Sequence, residues 1–241
     1  MSIQEHVSQV QAAIAAAAAA AGRDPREITL CAATKVQSDE TIRAAIAAGI
    51  TVCGENRVQE LLAHLEGDAY HGAQVHFIGH LQTNKVKQVV GKVALIDSVD
   101  SQRLLQAIDT QAGKLGICQD ILLEVNIAGE ESKGGCTPQQ AWDLAAEAAE
   151  CAHVRLRGLM AIPPAAHHPG ENRRFFQEMR QLYVDIKGKL GDNQSSMDCL
   201  SMGMSGDFTD AIAEGATLVR VGTALFGPRP PMGHSSAVGA L

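Results

Sequence analysis

The sequence predicts an α/β protein of the (β/α)8 class, the TIM barrel, on three observations. Eight short apolar runs recur along the 241 residues, capped helix-like segments separate them, and the length is close to the ~250 residues typical of this fold. Runs that are apolar throughout indicate strands buried on both faces, as in a parallel sheet covered by helices. The competing architecture is an open Rossmann-like sheet, which commonly has about six strands. No G-x-G-x-x-G pattern follows the first run, which favours the barrel.

The first predicted element is a surface helix over residues 3–21. Ser2 and Glu5 form a capping-box pattern before it, and its alanine-rich sequence has the highest intrinsic helix propensity. The predicted strands follow as the apolar runs 28–34, 50–53, 75–78, 93–98, 121–127, 154–162, 198–202 and 218–221.

A helix is predicted after each of the first seven strands. The expected starts are Ser38, Glu55, Thr83, Asp100 or Ser101, Thr137 with Pro138 behind it, residue 169 for a helix reaching 190, and Gly206. Asp97, Ser98 and Asp100 are interpreted as the end of the fourth strand leading into a helix cap. Residues 1–227 are expected to form one barrel domain, followed by a disordered tail over residues 228–241, which is rich in Pro, Gly and Ser.

Composition excludes several classes of function. Twenty Lys and Arg against 27 Asp and Glu give a net charge of −7, which argues against a nucleic-acid partner. Six scattered cysteines without a C-x-x-C pair indicate a reduced, cytoplasmic protein. The amino terminus lacks a basic segment, and its alanine run is too short and weakly apolar to cross a membrane. The histidines at 64, 71, 76 and 80 fall in different elements, so no metal site is expected.

Chemistry in a barrel gathers at the carboxyl ends of the strands, where one amine is found. Lys35 follows the first strand, and low-dielectric walls at a barrel mouth would favour its neutral form, a nucleophile for aldehydes. The plainer alternative is a lysine that points into water.

The loops after strands seven and eight are those from which barrels usually build a phosphate site. They carry three glycines and three hydroxyl side chains: Gly203, Gly206 and Gly222 with Ser201, Ser205 and Thr223. Glycine lets a backbone approach an anion closely, although turns and helix caps favour the same residue types. An aldehyde-binding lysine beside a phosphate site leaves two ligands open: pyridoxal 5'-phosphate (PLP), or a sugar phosphate in a class I aldolase.

Six segments in order then resemble the pyridoxal phosphate homeostasis protein family. They are 32–35 (AATK), 54–60 (GENRVQE), 76–85 (HFIGHLQTNK), 158–161 (GLMA), 201–207 (SMGMSGD) and 220–227 (RVGTALFG). The resemblance implies a PLP-binding barrel of fold type III, similar to the amino-terminal domain of alanine racemase. It also implies a single domain without the carboxyl-terminal β domain of the racemases.

The resemblance also implies roles for eight residues. Lys35 is expected to hold PLP covalently as an aldimine, Asn56 to contact the cofactor, and Arg220 to face its pyridine nitrogen. The phosphate site is expected to comprise Ser201, Met202, Ser205, Gly222 and Thr223. Gln37 and Ser38 stand where many relatives have Lys or Pro, so no second lysine is expected to assist Lys35.

The function expected from this resemblance is that of a PLP carrier or buffer in intracellular PLP homeostasis, without robust turnover. Because Arg220 stays charged, a pyridine nitrogen facing it cannot readily be protonated, and the ring becomes a weaker electron sink. A monomer is expected, with PLP-dependent apoenzymes as candidate recipients. The alternative is a small PLP-dependent racemase or lyase with His80 or Lys35 as the base. Separately, Lys133, which follows the fifth strand, could place another cation near the barrel mouth.

Overall fold

Eight parallel strands close into a barrel in the order in which they occur along the chain. The computed structural model describes residues 1–130, 132–190 and 196–227, so the tail predicted over 228–241 lies outside the described residues. The strands are β1 (Thr29–Ala33), β2 (Val52–Glu55), β3 (Gln74–Phe77), β4 (Leu95–Val99), β5 (Gln119–Val125), β6 (Val154–Ala161), β7 (Cys199–Ser201) and β8 (Leu218–Val221). All eight predicted strands are confirmed.

Pairing between the last and first strands excludes the open sheet. Cys31 of β1 is in register with Arg220 of β8 on one side and with Val52 of β2 on the other. Closure therefore brings residues from the two ends of the chain to the same part of the rim.

Helices cover the outside of the barrel. They are α1 (Ile3–Ala20), α2 (Asp39–Ala47), α3 (Val58–Glu66), α4 (Val86–Val89), α5 (Gln102–Leu115), α6 (Pro138–Glu150), α7 (Arg173–Leu190), α8 (Phe208–Ala213) and α9 (Thr223–Phe226). The capping box at Ser2 and the caps at Ser38 and Thr137 are confirmed. None of the described helices is both long enough and apolar enough to cross a membrane.

Several predicted helix starts come a few residues earlier in the sequence than the helices themselves. Glu55 belongs to β2, and α3 begins only after Arg57. Gly206 precedes Asp207, which is the residue before α8. The helix predicted from residue 169 likewise begins at Arg173.

The amino-terminal helix α1 packs across the point where the barrel closes. It contacts α8 and α9 from the end of the chain and α2 from its beginning. Val7, Val10, Ile14 and Ala18 form its buried face, at the three- and four-residue spacing of an amphipathic helix.

Candidate functional site

A cavity of about 530 Å³ opens at the carboxyl ends of the strands, a size typical of small-molecule sites. Six of the eight predicted site residues line it: Lys35, Asn56, Ser205, Arg220, Gly222 and Thr223. The other two, Ser201 and Met202, are fully buried and do not line it. Residues of the first and last strands thus meet at one cavity, as barrel closure requires.

A tight turn after β1 presents Lys35 to the cavity. Val36 has a φ of 59°, a left-handed conformation that is unusual for a β-branched residue and costs on the order of 1–3 kcal/mol. Two hydrogen bonds hold the turn: the Val36 N–H donates to Glu60 Oε2 (3.1 Å), and the Gln37 N–H donates to the Thr34 carbonyl (3.0 Å). The backbone at Lys35 is therefore held by contacts to α3 and to Thr34, the residue after β1.

Glu55 ties the loop bearing Lys35 to the second strand. Its Oε1 accepts hydrogen bonds from the Thr34 hydroxyl (2.5 Å) and the Tyr70 hydroxyl (2.9 Å). Burial raises the pKa of Glu55, and these two hydrogen bonds partly oppose that rise. This buried carboxyl was predicted as a helix cap; its position inside β2 makes it a structural link beneath the rim instead.

Asn56 follows Glu55 and contributes an unsatisfied acceptor. Its Oδ1 is buried and has no hydrogen-bond partner among the described residues. A buried polar atom without a partner costs free energy unless a water or ligand satisfies it. Because Asn56 lines the cavity, a donor on a ligand there would remove that cost.

The loops after β7 and β8 meet at the Ser205 hydroxyl. Ser205 Oγ accepts hydrogen bonds from the N–H groups of Gly222 (3.2 Å) and Ala224 (3.3 Å). The first loop is held by Asp207, whose carboxylate accepts from the Met204 N–H (2.7 Å) and from Asn172 Nδ2 (2.8 Å). Two backbone donors and a hydroxyl are thus grouped where a phosphate was predicted.

The predicted glycines do not share one role. Gly203 has a φ of +91°, and a Cβ there would lie 2.5 Å from the Ala211 Cβ, so this glycine allows close packing against α8. Gly206 has open space around it, whereas Gly222 packs against Ala33, with 3.4 Å between the Ala33 Cβ and a Cβ placed on Gly222. Only Gly206 and Gly222 line the cavity.

Arg220 is buried beneath the cavity and is held by two acceptors. Its Nη1 donates to Ser201 Oγ (2.6 Å), and its Nη2 donates to the Ala161 carbonyl (2.9 Å). The Ser201 hydroxyl donates in turn to Asp97 Oδ2 (3.1 Å). Ser201 was predicted to bind phosphate, but its side chain lies in the barrel interior and its hydroxyl is already used. Met202 packs in the outer core between the strands and the helices.

Sequence reasoning missed the buried pair that lies behind Ser201. Asp97 was predicted at the end of the fourth strand, leading into a helix cap; it does lie in β4, but it is fully buried there, and the residue before α5 is Ser101. Asp97 Oδ1 lies 3.6 Å from His76 Nδ1 of β3. Burial raises the pKa of Asp97 and lowers the pKa of His76. Period-two alternation in the third and fourth strands is the signal that could have placed both residues inside the barrel.

The other two candidates, His80 and Lys133, lie away from the cavity lining. His80 is 63% exposed, with its Nδ1 3.8 Å from Asp100 Oδ2. Lys133 pairs with Glu130 (2.9 Å) and donates to the Pro163 carbonyl (3.1 Å). The Tyr70 hydroxyl is bound to Glu55, and that of Tyr183 donates to the Met197 carbonyl (2.9 Å).

A larger cavity, about 820 Å³, opens at the opposite end of the barrel and is lined by His76, Asp120 and Arg157 among others. Arg157 there binds both Asp120 and Asp198, so its charge is already balanced. Barrel chemistry gathers at the carboxyl ends of the strands, which makes the smaller cavity the candidate site. Among the described residues no group of three His, Cys, Asp or Glu side chains could hold a metal ion.

Comparison with known proteins decides the family. The family model described as the alanine racemase amino-terminal domain matches residues 6–230. A pyridoxal phosphate homeostasis protein of Aquifex aeolicus is 43% identical over 229 residues, covering 95% of this chain and 99% of the relative. The chain belongs to the pyridoxal phosphate homeostasis protein family. The resemblance seen in the sequence is therefore confirmed.

Solved structures of relatives agree with the fold of this family member. PipY of Synechococcus elongatus, a structure described as having PLP bound, has a TM-score of 0.81 and 32% identity, covering 94% of this chain and 100% of its own. Alanine racemase of Streptomyces coelicolor has a TM-score of 0.70 and 19% identity, covering 95% of this chain but only 58% of its own. This chain thus shares the barrel fold of the racemase and matches only part of the racemase chain.

Proposed function

We propose that this protein binds PLP in the cavity at the carboxyl ends of the strands and takes part in intracellular PLP homeostasis. The observation that carries the proposal is the convergence of an amine, a guanidinium and a group of backbone donors at one cavity. Two comparisons support it: the chain belongs to a family whose curated relatives are named for PLP homeostasis, and the similar protein PipY has been solved with PLP bound.

The residues present suit the chemical groups of PLP. The unsatisfied Oδ1 of Asn56 would accept a hydrogen bond from the phenolic hydroxyl of the ring. Ser205, Thr223 and the N–H groups of Gly222 and Ala224 would hold the phosphate, and Arg220 would face the ring nitrogen. The side chains of Ser201 and Met202 are not part of this proposed phosphate set, because both are buried outside the cavity lining.

Lys35 is proposed as the covalent attachment point. Its amine would attack the aldehyde carbon, and loss of one water would leave a C=N bond between that carbon and Lys35 Nζ. When bound, PLP supplies an electrophilic carbon and a ring that can accept electron density. The fixed turn at Val36 would keep the lysine backbone in place while the side chain exchanges between the free and bonded states.

The proposed role is a carrier rather than an enzyme. Arg220 carries a permanent positive charge, which disfavours a proton on a ring nitrogen facing it and leaves the ring a poor electron acceptor. Neither tyrosine is placed to act as a base at the cavity, because the hydroxyls of Tyr70 and Tyr183 donate hydrogen bonds elsewhere in the fold. Unpaired thiols at all six cysteines support a reducing, cytoplasmic site of action. We further propose one domain over residues 1–227, a monomer, and PLP-dependent apoenzymes as recipients.

Absorption spectra of the purified protein with added PLP would test attachment. The wild type is expected to show the band of a PLP–lysine C=N bond, and borohydride reduction should leave the label on Lys35. Lys35→Ala should lose the band, while the matched variant Lys133→Ala should keep it, because Lys133 is tied to Glu130 and to the Pro163 carbonyl. A band that persists in Lys35→Ala would show that PLP is attached to another lysine. Failure of the wild type to bind PLP would refute the proposal.

Turnover assays separate the carrier from a small racemase or lyase. Incubation of the PLP-loaded protein with free amino acids should leave their chirality and composition unchanged on the time scale of ordinary enzymes. Racemisation or elimination at such rates would overturn the carrier role.

A further inference from the structure

Four polar side chains form a connected row through the interior of the barrel. They come from four different strands: His76 of β3, Asp97 of β4, Ser201 of β7 and Arg220 of β8. Barrel interiors are ordinarily filled by branched apolar side chains. Here the apolar interior residues fall into two separate clusters, one centred on β1, β2, β3 and β8 and the other on β4, β5 and β6.

The hydrogen bonds in this row have a fixed direction. The Ser201 hydroxyl has a single proton, which it donates to Asp97 Oδ2 at 3.1 Å. Its lone pairs are then available to accept from Arg220 Nη1 at 2.6 Å. One hydroxyl therefore separates a buried guanidinium from a buried carboxyl.

Stability alone does not account for such a row. Burying charged groups costs free energy, and replacing a buried ion pair by apolar side chains is often neutral or stabilising. A guanidinium held this tightly, with its cavity-facing side open to a ligand, is instead the arrangement expected of a preorganised binding group.

We propose that Asp97 and Ser201 are positioning residues for Arg220. Ser201 fixes the guanidinium by accepting its hydrogen bond, and Asp97, across that hydroxyl, offsets its positive charge. The inference rests on the proposed function, because Arg220 is the group that would face the ring nitrogen of PLP.

His76 completes the row by facing the second oxygen of Asp97. His76 Nδ1 and Asp97 Oδ1 lie 3.6 Å apart, and neither has a hydrogen-bond partner among the described residues. At this distance the two atoms make no hydrogen bond, so His76 lies beside the carboxyl but does not fix its orientation. The titratable and charged groups that face Asp97 come from five strands: Cys31, His76, Glu124, Cys199 and Arg220.

The first test is the affinity for PLP, measured by fluorescence titration. Ser201→Ala removes the acceptor for a charged donor, and the dissociation constant should rise about 10- to 100-fold. Ser201→Thr keeps a hydroxyl and should restore affinity to near the wild-type value. Ser98→Ala is the matched control, because Ser98 is equally buried on β4 and its hydroxyl has no hydrogen-bond partner among the described residues. The affinity of this control variant for PLP should equal that of the wild type.

The second test is spectroscopic and separates charge from geometry. Asp97→Asn keeps the size and an acceptor but cannot carry the negative charge. The uncompensated field of Arg220 should then disfavour a proton on the C=N nitrogen, so the pH midpoint of its absorbance change should move to lower pH. A purely structural role for Asp97 would leave that midpoint unchanged.

The third test needs no cofactor, which keeps the inference distinct from the proposed function. In ¹⁵N NMR spectra of the cofactor-free protein, the Arg220 guanidinium protons should be protected from exchange in the wild type and in Ser98→Ala. They should exchange rapidly in Ser201→Ala or, if that variant does not fold, in Ser201→Cys, whose sulfur is only a weak acceptor. Wild-type affinity and unchanged protection in these variants would overturn the inference. A protein that protects Arg220 but binds no PLP would refute only the proposed function.

Discussion

Removing the Ser205 hydroxyl should weaken binding of PLP far more than binding of pyridoxal, which lacks the phosphate. Ser205 Oγ accepts two backbone hydrogen bonds, from Gly222 at 3.2 Å and from Ala224 at 3.3 Å. In the cofactor-free protein, Ser205→Ala leaves two part-buried N–H groups without this acceptor, which should lower the free energy of unfolding by about 1 kcal/mol. With PLP bound, the variant also loses a hydroxyl donor to an anion, worth about 1.5–3 kcal/mol. The dissociation constant of PLP should therefore rise about 10- to 100-fold.

The assay compares the two ligands at constant ionic strength. Fluorescence titration should show the large loss for PLP and a change of less than about 2-fold for pyridoxal, since only the phosphate contact has gone. Ser101→Ala serves as the control, because Ser101 is exposed and makes no capping hydrogen bond. Equal losses for PLP and pyridoxal, or no loss for either, would refute the assignment of the phosphate to this loop.

Two further predictions concern the rim and the carboxyl beneath it. Gly203→Ala should lower the free energy of unfolding by about 2 kcal/mol or more, because the new Cβ would lie 2.5 Å from the Ala211 Cβ and the residue has a φ of +91°. Gly206→Ala should change the free energy of unfolding by less than about 0.5 kcal/mol, because the space around Gly206 is open. Urea unfolding would measure both, and similar losses in the two variants would contradict the packing argument. Burial raises the pKa of Glu55 above 4.5, so the folded state holds that proton more tightly and the contribution of Glu55 to stability falls as pH rises through the raised pKa. Glu55→Gln should therefore gain stability relative to the wild type as the pH rises above 4.5, by at most about 1.4 kcal/mol per pH unit. Unfolding curves at a series of pH values would measure this, and a difference that does not vary with pH would exclude titration of Glu55.

The barrel could be predicted because its signals are local and repeated. Apolar runs separated by capped helices specify parallel strands regardless of the detailed packing. The boundaries were less predictable where a polar residue serves a distant contact: Glu55 resembles a helix cap, but it accepts hydrogen bonds from Thr34 and Tyr70. A single sequence contains no direct record of such long-range pairs.

The candidate site could be predicted in part, for a related reason. Lys35 and Asn56 are found by asking which polar residue follows each strand, and the structure places both at the cavity. Ser201 was predicted to contact the phosphate, but its side chain lies in the barrel interior, because a position at the end of β7 does not reveal which face of the sheet a residue occupies. The third and fourth strands were predicted as apolar runs. The alternation of their side chains between the two faces, which places His76 and Asp97 inside the barrel, was not used.

Because β1 pairs with β8, the pocket that holds Lys35 beside Gly222 exists only when the whole ring of strands is complete. A nascent chain that lacks its final strand has the amine but not the donors opposite it, so a ligand of this pocket has no partial site to occupy. Such a ligand binds the finished barrel in preference to any fragment or half-formed intermediate, and it raises the free energy of unfolding by an amount that grows with its free concentration relative to its dissociation constant. At saturating ligand, the amount bound is thereby a measure of how much of the protein has completed folding.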